Sequence, residues 1–253
     1  MGETSFGDAG VVLAIDIGAT NVKFCLVDRD GNLLESPKRR PTPYPCSPAR
    51  LIEMLVERIE ASEGKRVGVG FPGEFRDGHV IHPGNLSRPG GVTTEKDPVL
   101  DEQWCGFGLQ SAIRDATKRD VRIVNDATLA ALGSCDGVGV ELVLTLGTGL
   151  GLALAVDGVM RYVRDVGAEV FMDGKTYDQL VGERSRALDE EHWGKLVVLV
   201  IRNFVNEFGA TKVHLAGGNA RRAMFDTFAE LEVEVVINGN QSSLRGAAKL
   251  FYG

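Results

Sequence analysis

The chain has 253 residues, 43% of them hydrophobic and 25% charged, which is typical of a globular protein with a substantial core. Its formal net charge of −7 at pH 7 argues against nucleic acid or an anionic membrane as the main partner. The four cysteines lack metal-ligand spacing, and neither a signal peptide nor a membrane-spanning run is present, so we expect a cytoplasmic protein with free thiols.

The first predicted element is a β-hairpin over residues 11–28, VVLAIDIGATNVKFCLVD, in which Asp16 ends one strand before the turn Gly18-Ala19-Thr20. The backbone amides of such a turn can bind phosphate oxygens, and a nearby carboxylate can bind the magnesium ion that accompanies the phosphate. An ordinary hairpin with a turn-capping aspartate is the alternative for this stretch alone. A short third strand is predicted near residues 33–35.

A helix over residues 49–62 and a buried strand over residues 66–70 follow, then a short strand around residues 79–81. Asn85 precedes residues 87–103, a polar stretch that predicts a loop unusually long for a compact domain. We consider two roles for this loop, a lid over a bound sugar or a solvated surface insertion.

A helix over residues 109–118 leads into a strand over residues 121–124, which runs directly into Asn125-Asp126 and the helix over residues 128–132. Asp126 therefore lies where a strand ends and a helix begins. Helix capping is the common role of an aspartate at such a junction, and general-base catalysis is the functional alternative.

The strand-turn-strand pattern recurs over residues 141–157, around the glycine turn Gly147-Thr148-Gly149. Asp16, Gly18, Thr20 and Asp28 correspond to Thr145, Gly147, Gly149 and Asp157 at a constant offset of 129 residues. This register predicts an internal duplication with one glycine turn in each half, although chance alternation of apolar strands could mimic it.

The rest of the chain alternates helices and strands, which predicts an α/β protein. A third glycine turn, Gly217-Gly218-Asn219, follows a strand and precedes a helix carrying Arg221 and Arg222. The predicted helices cover residues 177–187, 190–208 and 241–251, and the predicted strands cover residues 212–216 and 233–237.

Five motifs in this order resemble the ROK sugar kinases, and most of all their polyphosphate-using glucokinases: DIGATNVKF, GFPGEF, NDATLAALG, LTLGTGLGLAL and LAGGN. The resemblance implies two similar ribonuclease-H-like (actin-like ATPase) domains with a cleft between them. We expect a smaller N-terminal domain over residues 1–124, a larger C-terminal domain over residues 125–240, and a last helix over residues 241–253 that packs back on the first domain.

The same resemblance implies a sugar site and a donor site. Asp126 is implied as the general base, and the sugar is contacted by Asn85, Asn125, Asp126, Asp165 and Glu169. The phosphate and nucleotide positions are Asp16, Gly18, Ala19, Thr20, Lys23, Gly147, Thr148, Gly149, Gly151, Gly217, Gly218 and Asn219, with Asp16 holding Mg²⁺, if necessary through water.

Two departures from the family pattern bear on specificity and metals. Where the family has Glu-x-Gly-His, this chain has Asp165-Val166-Gly167-Ala168, and alanine forms no hydrogen bond to a sugar, so the acceptor stays open. The family's cysteine-rich zinc motif is absent, so we expect no zinc site, and His214 and the other histidines are interpreted as surface or packing residues.

The expected activity is phosphoryl transfer from ATP or inorganic polyphosphate, with Mg²⁺, to a hexose hydroxyl. The alternatives are a sugar-binding regulator, a non-catalytic relative, or a kinase for another sugar or a polyol. The family also implies a homodimer whose ligands are a sugar and a nucleotide, without nucleic acid or membrane.

Overall fold

The computed structural model describes residues 10–223 and 225–253 of the chain. Two compact units emerge: unit 1 comprises the residues up to Leu129 together with Ser243–Gly253, and unit 2 comprises Ala130–Ser242. Unit 1 is the longer of the two. It includes the start of the helix after residue 125, where Asp126 and Leu129 lie close to Gly70.

Unit 1 is built on a five-stranded mixed sheet in the order β3-β2-β1-β4-β7. Strand β1 is antiparallel to β2 and parallel to β4, and β4 is parallel to β7. The strands are β1 (Val12–Ile17), β2 (Asn21–Val27), β3 (Lys38–Pro41), β4 (Arg66–Phe71), β5 (Glu74–Arg76), β6 (His79–His82) and β7 (Asp120–Asn125), with β5 and β6 forming a separate hairpin. The helices are α1 (Pro48–Glu60), α2 (Pro98–Trp104), α3 (Leu109–Thr117) and α4 (Asp126–Leu132).

Helices cover this sheet through apolar faces and small residues. Helix α1 starts where the Ser47 side chain accepts a hydrogen bond from the Arg50 amide, and it buries Leu51, Leu55 and Ile59 completely. The last helix, described below, packs on the sheet at Gly68 of β4, where an added Cβ would lie 2.8 Å from the Ala247 Cβ. This helix thus belongs to the same unit as the N-terminal part of the chain.

Two expectations for unit 1 are wrong. The third strand is Lys38–Pro41 and not residues 33–35, where Leu33 forms only an isolated bridge with Val27. Residues 87–103 are not a loop throughout: Asp97 caps α2, and the buried Trp104 donates from Nε1 to the Cys46 carbonyl at 2.7 Å. The pair Asp97-Pro98 is a helix-start signal that the polar composition obscured.

Unit 2 repeats the architecture of unit 1. Its sheet has the order β10-β9-β8-β13-β14, and the directions of its strands match those of unit 1 one for one, which agrees with the predicted duplication. The strands are β8 (Val140–Leu146), β9 (Leu150–Val156), β10 (Val159–Arg161), β11 (Val170–Met172), β12 (Lys175–Thr176), β13 (Lys212–Ala216) and β14 (Glu234–Gly239). The helices are α5 (Tyr177–Val181), α6 (Glu183–Leu188) and α7 (Glu190–Phe208), and α8 (Ser242–Tyr252) closes the chain.

The predicted helix over residues 177–187 is two helices that separate at Gly182. A Cβ there would lie 2.5 Å from the carbonyl oxygens of both Asp178 and Thr148, so the chain has no room for a side chain at the break. Arg221 and Arg222 lie in the 3-10 helix Ala220–Arg222 and not in an α-helix. Across the described ranges, no helix has the length and apolar content that crossing a lipid bilayer requires.

Candidate functional site

The candidate residues of unit 1 lie where its parallel strands end. Asp16 of β1 pairs in register with Gly70 of β4, and Gly70 pairs with Val124 of β7. Because neighbouring strands lie roughly 4.8 Å apart, the backbones of Asp16 and Val124 are about 10 Å apart. The carboxyl ends of parallel strands are the usual ligand-binding edge of an α/β sheet.

The Asp16 carboxylate is held by two donors. Lys23, its register partner on β2, donates from Nζ to Oδ2 at 2.8 Å, and the Ser243 hydroxyl donates to the same oxygen at 2.8 Å. Only 12% of the Asp16 side chain is exposed. The sequence predicted Asp16 and Lys23 but not Ser243, which is 227 residues away along the chain.

The first glycine turn offers two amides, not three. The Gly18 N–H donates to the Asn21 carbonyl at 3.0 Å and so closes the hairpin, which corrects its predicted role as a phosphate donor. The Tyr44 hydroxyl donates to the Ala19 carbonyl at 2.8 Å, and the Thr42 amide donates to the Thr20 carbonyl at 3.0 Å. Within the described residues, no acceptor is found for the N–H of Ala19 or Thr20, so both can serve a ligand.

Asn125, and not Asp126 alone, caps helix α4. The Asn125 Oδ1 accepts from the amides of Ala127 at 2.9 Å and Thr128 at 3.2 Å, while its Nδ2 donates to the Gly73 carbonyl at 2.9 Å. Both ends of this amide are therefore engaged inside the protein, and the second N–H of Nδ2 has no acceptor among the described residues. The half-buried Asp126 accepts from the Ala127 amide at 2.8 Å through Oδ1.

Asn85 is brought to the same place by a close approach of two backbone segments. A Cβ at Gly73 would lie 2.2 Å from the His82 carbonyl oxygen, and a Cβ at Gly84 would lie 2.1 Å from the Pro72 carbonyl oxygen. Only glycine fits at either position. Asn85 follows Gly84, which approaches Pro72 and Gly73, and Asn125 binds the Gly73 carbonyl of that same segment. Among the described residues, none hydrogen-bonds to the Asn85 side chain, which leaves its amide available.

In unit 2, the second glycine turn is organised by Asp178, a residue that the sequence did not single out. The Leu150 amide donates to Asp178 Oδ1 at 2.8 Å, and a Cβ at Gly149 would lie 2.3 Å from that oxygen. The Asp178 amide donates to the Gly167 carbonyl at 2.9 Å. Asp178 thus ties the turn to residues 165–169. Gly151 lies in β9 opposite Thr145, inside the ladder.

The second and third glycine turns are joined through Asn219 and Glu183. The Asn219 amide donates to the Leu146 carbonyl at 3.0 Å, and its Nδ2 donates to Glu183 Oε2 at 2.8 Å. The backbone amide of Glu183 donates to the Gly147 carbonyl at 2.9 Å and to the carbonyl of the exposed Thr148 at 3.3 Å. Glu183, like Asp178, was not predicted, because its neighbours are distant in sequence.

Arg186 keeps the Glu183 carboxylate ionised. Its guanidinium donates to both carboxylate oxygens, at 2.8 and 2.7 Å. These hydrogen bonds outweigh partial burial and hold the pKa of Glu183 below its ordinary value, with the Asn219 amide adding to the effect. The charged carboxylate is therefore a dependable acceptor for Asn219 at neutral pH.

Two glycines of unit 2 have no role in the fold that would require glycine. A Cβ added to Gly147 or to Gly218 would meet no atom within 4 Å, and neither residue has a left-handed backbone. Open space in front of a glycine backbone allows a ligand to approach closely. Beside Gly218 is a polar cavity of about 230 Å³, lined by Gly217, Gly218, Arg221, Asn238, Gly239, Asn240 and Gln241.

The remaining predicted sugar contacts are less well placed to bind one. Asp165 is exposed, and its Oδ1 accepts from the Gly167 amide at 3.1 Å. Glu169 accepts from Arg164 Nε at 2.6 Å, and Arg164 also donates to Glu207 at 3.1 Å. The hydrogen bonds that Arg164 donates to Glu169 and to Glu207, in that order of effect, raise the pKa of its guanidinium. Glu169 is thus already committed to an ion pair, and Ala168 beside it is exposed.

Comparisons with known proteins point to one family. The model described as the ROK family matches residues 12–162. The polyphosphate glucokinase of Mycobacterium tuberculosis is 24% identical over 221 residues, which cover 83% of this chain and 78% of that protein. The inorganic polyphosphate/ATP-glucomannokinase of Arthrobacter sp. strain KM superposes with a TM-score of 0.77 at 26% identity, over 95% of this chain and 98% of that one. A ROK family glucokinase of Streptomyces griseus, solved with glucose and AMPPNP, has the same fold, with a TM-score of 0.73 at 18% identity and coverage of 95% and 99%.

Proposed function

The chain belongs to the ROK family, and we propose that it is a glucokinase-like sugar kinase, transferring a phosphoryl group from ATP or inorganic polyphosphate to a hexose hydroxyl. The observation that carries the proposal is the junction of β7 and α4. There the Asn125 side chain accepts from two amides of the first turn of α4, so capping does not by itself account for a carboxylate at Asp126. The names of the relatives support a sugar acceptor and either donor.

Asp126 is the proposed general base. A carboxylate at this position removes the proton from the acceptor hydroxyl as the phosphoryl group transfers, an effect typically worth about 10²–10⁴-fold in rate. The Asn85 amide, which offers both a donor and acceptors, orients the sugar beside it. Asn125 fixes the helix start and the Gly73 loop, and the second N–H of its Nδ2 is the proposed donor to the sugar.

We propose that each unit contributes its own donor-binding groups: the Ala19 and Thr20 amides in unit 1, and the open backbones of Gly147 and Gly218 in unit 2. Mg²⁺, when bound, neutralises phosphate oxygens during transfer. Asp16 fits this cation because Mg²⁺ prefers oxygen ligands and usually keeps several waters. Lys23 and Ser243 bind only one oxygen of the Asp16 carboxylate and hold the group in place. Gly217 and Asn219 shape the third turn at the proposed nucleoside end.

Activity assays against a panel of acceptors test this function directly. Purified protein with Mg²⁺ and either ATP or polyphosphate is expected to phosphorylate at least one of glucose, mannose, other hexoses or polyols. Glucose need not be the best acceptor, because Ala168 forms no hydrogen bond and Glu169 is paired with Arg164. If a sugar raised the melting temperature but no acceptor were phosphorylated, a sugar-binding regulator would be favoured instead.

Gly147→Ala is expected to raise the KM for the phosphoryl donor about tenfold or more, because the added methyl group fills the space in front of the turn. The same change should leave the fold intact, because the backbone of Gly147 is not in the left-handed region. It could raise the free energy of unfolding by about 0.4–1 kcal/mol, because alanine lowers the conformational entropy of the unfolded chain. Donor KM and chemical denaturation measure the two effects. An unchanged donor KM would remove Gly147 from the site.

Glu183→Ala is expected to raise the donor KM several-fold with little change in the sugar KM, because Asn219 loses its carboxylate acceptor and the second and third turns lose a connection. The matched control is Glu191→Ala, which removes an exposed helix carboxylate whose one partner among the described residues is Lys195. Equal effects of the two changes on donor KM would contradict a specific role for Glu183.

A further inference from the structure

Three side chains that can bind metals meet inside unit 2, away from the glycine turns. Glu141 of β8 and His214 of β13 are buried, with 0% and 1% of their side chains exposed, and Cys135 is half-buried just after α4. One ligand atom from each, a carboxylate oxygen, an imidazole nitrogen and the thiol sulfur, lies within 4.8 Å of the other two. Residue spacing along the sequence does not reveal this cluster, because His214 is distant from the other two residues.

The surroundings of His214 set its ring nitrogens. Nε2 faces Glu141 Oε1 at 3.0 Å, and Nδ1 lies 3.1 Å from the Asn238 Oδ1. In the tautomer that donates from Nδ1 to Asn238, Nε2 is unprotonated and faces the carboxylate as a second acceptor. A metal ion bound to both atoms would remove the repulsion between them, and a proton on Nε2 is the other arrangement that does so.

Hydrogen bonds from neighbouring groups also hold the Glu141 carboxylate in place, as such bonds orient metal-binding side chains in known metal sites. The Asp136 amide donates to Glu141 Oε1 at 2.8 Å, and the Gly137 amide donates to Oε2 at 2.8 Å. The Asn238 Oδ1 can accept from Nδ1 in the tautomer that leaves Nε2 available to a metal. Both buried ligands are therefore oriented before any ion binds, with little further ordering required.

We propose that Cys135, Glu141 and His214 bind one divalent transition-metal ion of the zinc class. Sulfur, nitrogen and oxygen ligands together suit zinc and not Mg²⁺ or Ca²⁺, which prefer oxygen alone. At zinc–ligand bonds of roughly 2.0–2.3 Å, tetrahedral ligands lie roughly 3.3–3.7 Å apart. His214 Nε2 and Glu141 Oε1 are 3.0 Å apart and all three ligand atoms lie within 4.8 Å of one another, so modest side-chain shifts would bring them to these separations. A water completes the four ligands, and the thiol releases its proton on binding.

This inference revises the expectation of no zinc site and is independent of the proposed function. The bound ion would connect the segment after α4 to β8 and β13. Cys135 is the only one of the three ligands that is not fully buried, so it provides the route by which an ion enters. The role inferred for the ion is structural, because no group of the proposed phosphoryl-transfer chemistry belongs to this cluster.

The test uses the full chain without a histidine tag, stripped with a chelator and titrated with Zn²⁺ and separately with Co²⁺. We expect about one Zn²⁺ per chain, a higher melting temperature with Zn²⁺, and a near-ultraviolet thiolate-to-cobalt absorption band. Cys135→Ser should abolish the band and weaken Zn²⁺ binding at least about tenfold. Cys105→Ser, at an exposed cysteine outside the cluster, is the matched control and should retain both properties.

Three results would overturn the proposal: wild-type protein that binds no Zn²⁺, a Cys135→Ser variant that binds as tightly as wild type, or binding lost in His82→Ala, which lacks only an exposed imidazole. The first result would assign a proton to the space between Glu141 and His214. None of them bears on phosphoryl transfer, which is measured separately, so failure of this inference is distinguishable from failure of the proposed function.

Discussion

Asp126→Asn is expected to lower kcat at least about 10²-fold while leaving donor binding and stability nearly unchanged. The substitution is close to isosteric, and the amide oxygen can still accept from the Ala127 amide, so α4 should start at the same place. What is lost is the ability to take a proton from the acceptor hydroxyl. The measurements are kcat and KM for both substrates, with donor affinity by calorimetry.

Asp120→Asn provides the control for this experiment. Asp120 begins the same strand, β7, but is exposed and lies at the opposite end from Asp126. Its replacement changes the net charge identically and should leave kcat unaltered. If Asp126→Asn retained wild-type kcat, Asp126 would be reduced to a helix-start residue, and the general base would have to be sought elsewhere.

The second large effect is expected at the adjacent glycines Gly217 and Gly218, and it concerns the free energy of unfolding. Gly217 has φ of +89°, and a Cβ there would lie 2.4 Å from the Leu146 carbonyl oxygen, so Gly217→Ala combines a left-handed backbone with a backbone clash. We expect a loss of at least about 2 kcal/mol in the free energy of unfolding. The third turn should also be displaced, which raises the donor KM.

Gly218→Ala should act in the opposite direction on stability. Gly218 is not left-handed, and a Cβ there meets nothing within 4 Å, so the variant should be as stable as wild type or up to about 1 kcal/mol more stable. Its donor KM should still rise, because the methyl group occupies the open side of the turn. Urea denaturation of both variants separates the two glycines, and equal stabilities would show that the backbone at Gly217 can relax.

Local patterns explain which parts of the fold could be predicted. Alternating apolar residues and glycine turns identify β1, β2, β8 and β9, and the constant offset between them matches the two sheet topologies. The third strand was misplaced because Lys38–Pro41 is charged and mostly exposed, with no apolar alternation to mark it. Helix α2 was missed because its capping signal lies in a strongly polar stretch.

The glycine turns of the candidate site can be predicted from the sequence, but the side-chain hydrogen bonds that connect them cannot. Ser243, Asp178 and Glu183 hold Asp16 and the second and third turns through side-chain hydrogen bonds that no short motif encodes. The roles of Asn125 and Asp126 could not be apportioned in advance either, because adjacent polar residues at a helix start can each cap it. Only the coordinates show that Asn125 uses both ends of its amide.

The return of the last helix to the first sheet has a consequence for biosynthesis. Gly31 and Gly68 make room for the backbone and side chains around Arg245 and Ala247, so unit 1 is assembled from the two ends of the chain. Unit 2 is one continuous segment and can complete its fold on the ribosome first. The strands of the unit 1 sheet are all translated early, but α8, which covers Gly68 of that sheet, is made only after the whole of unit 2.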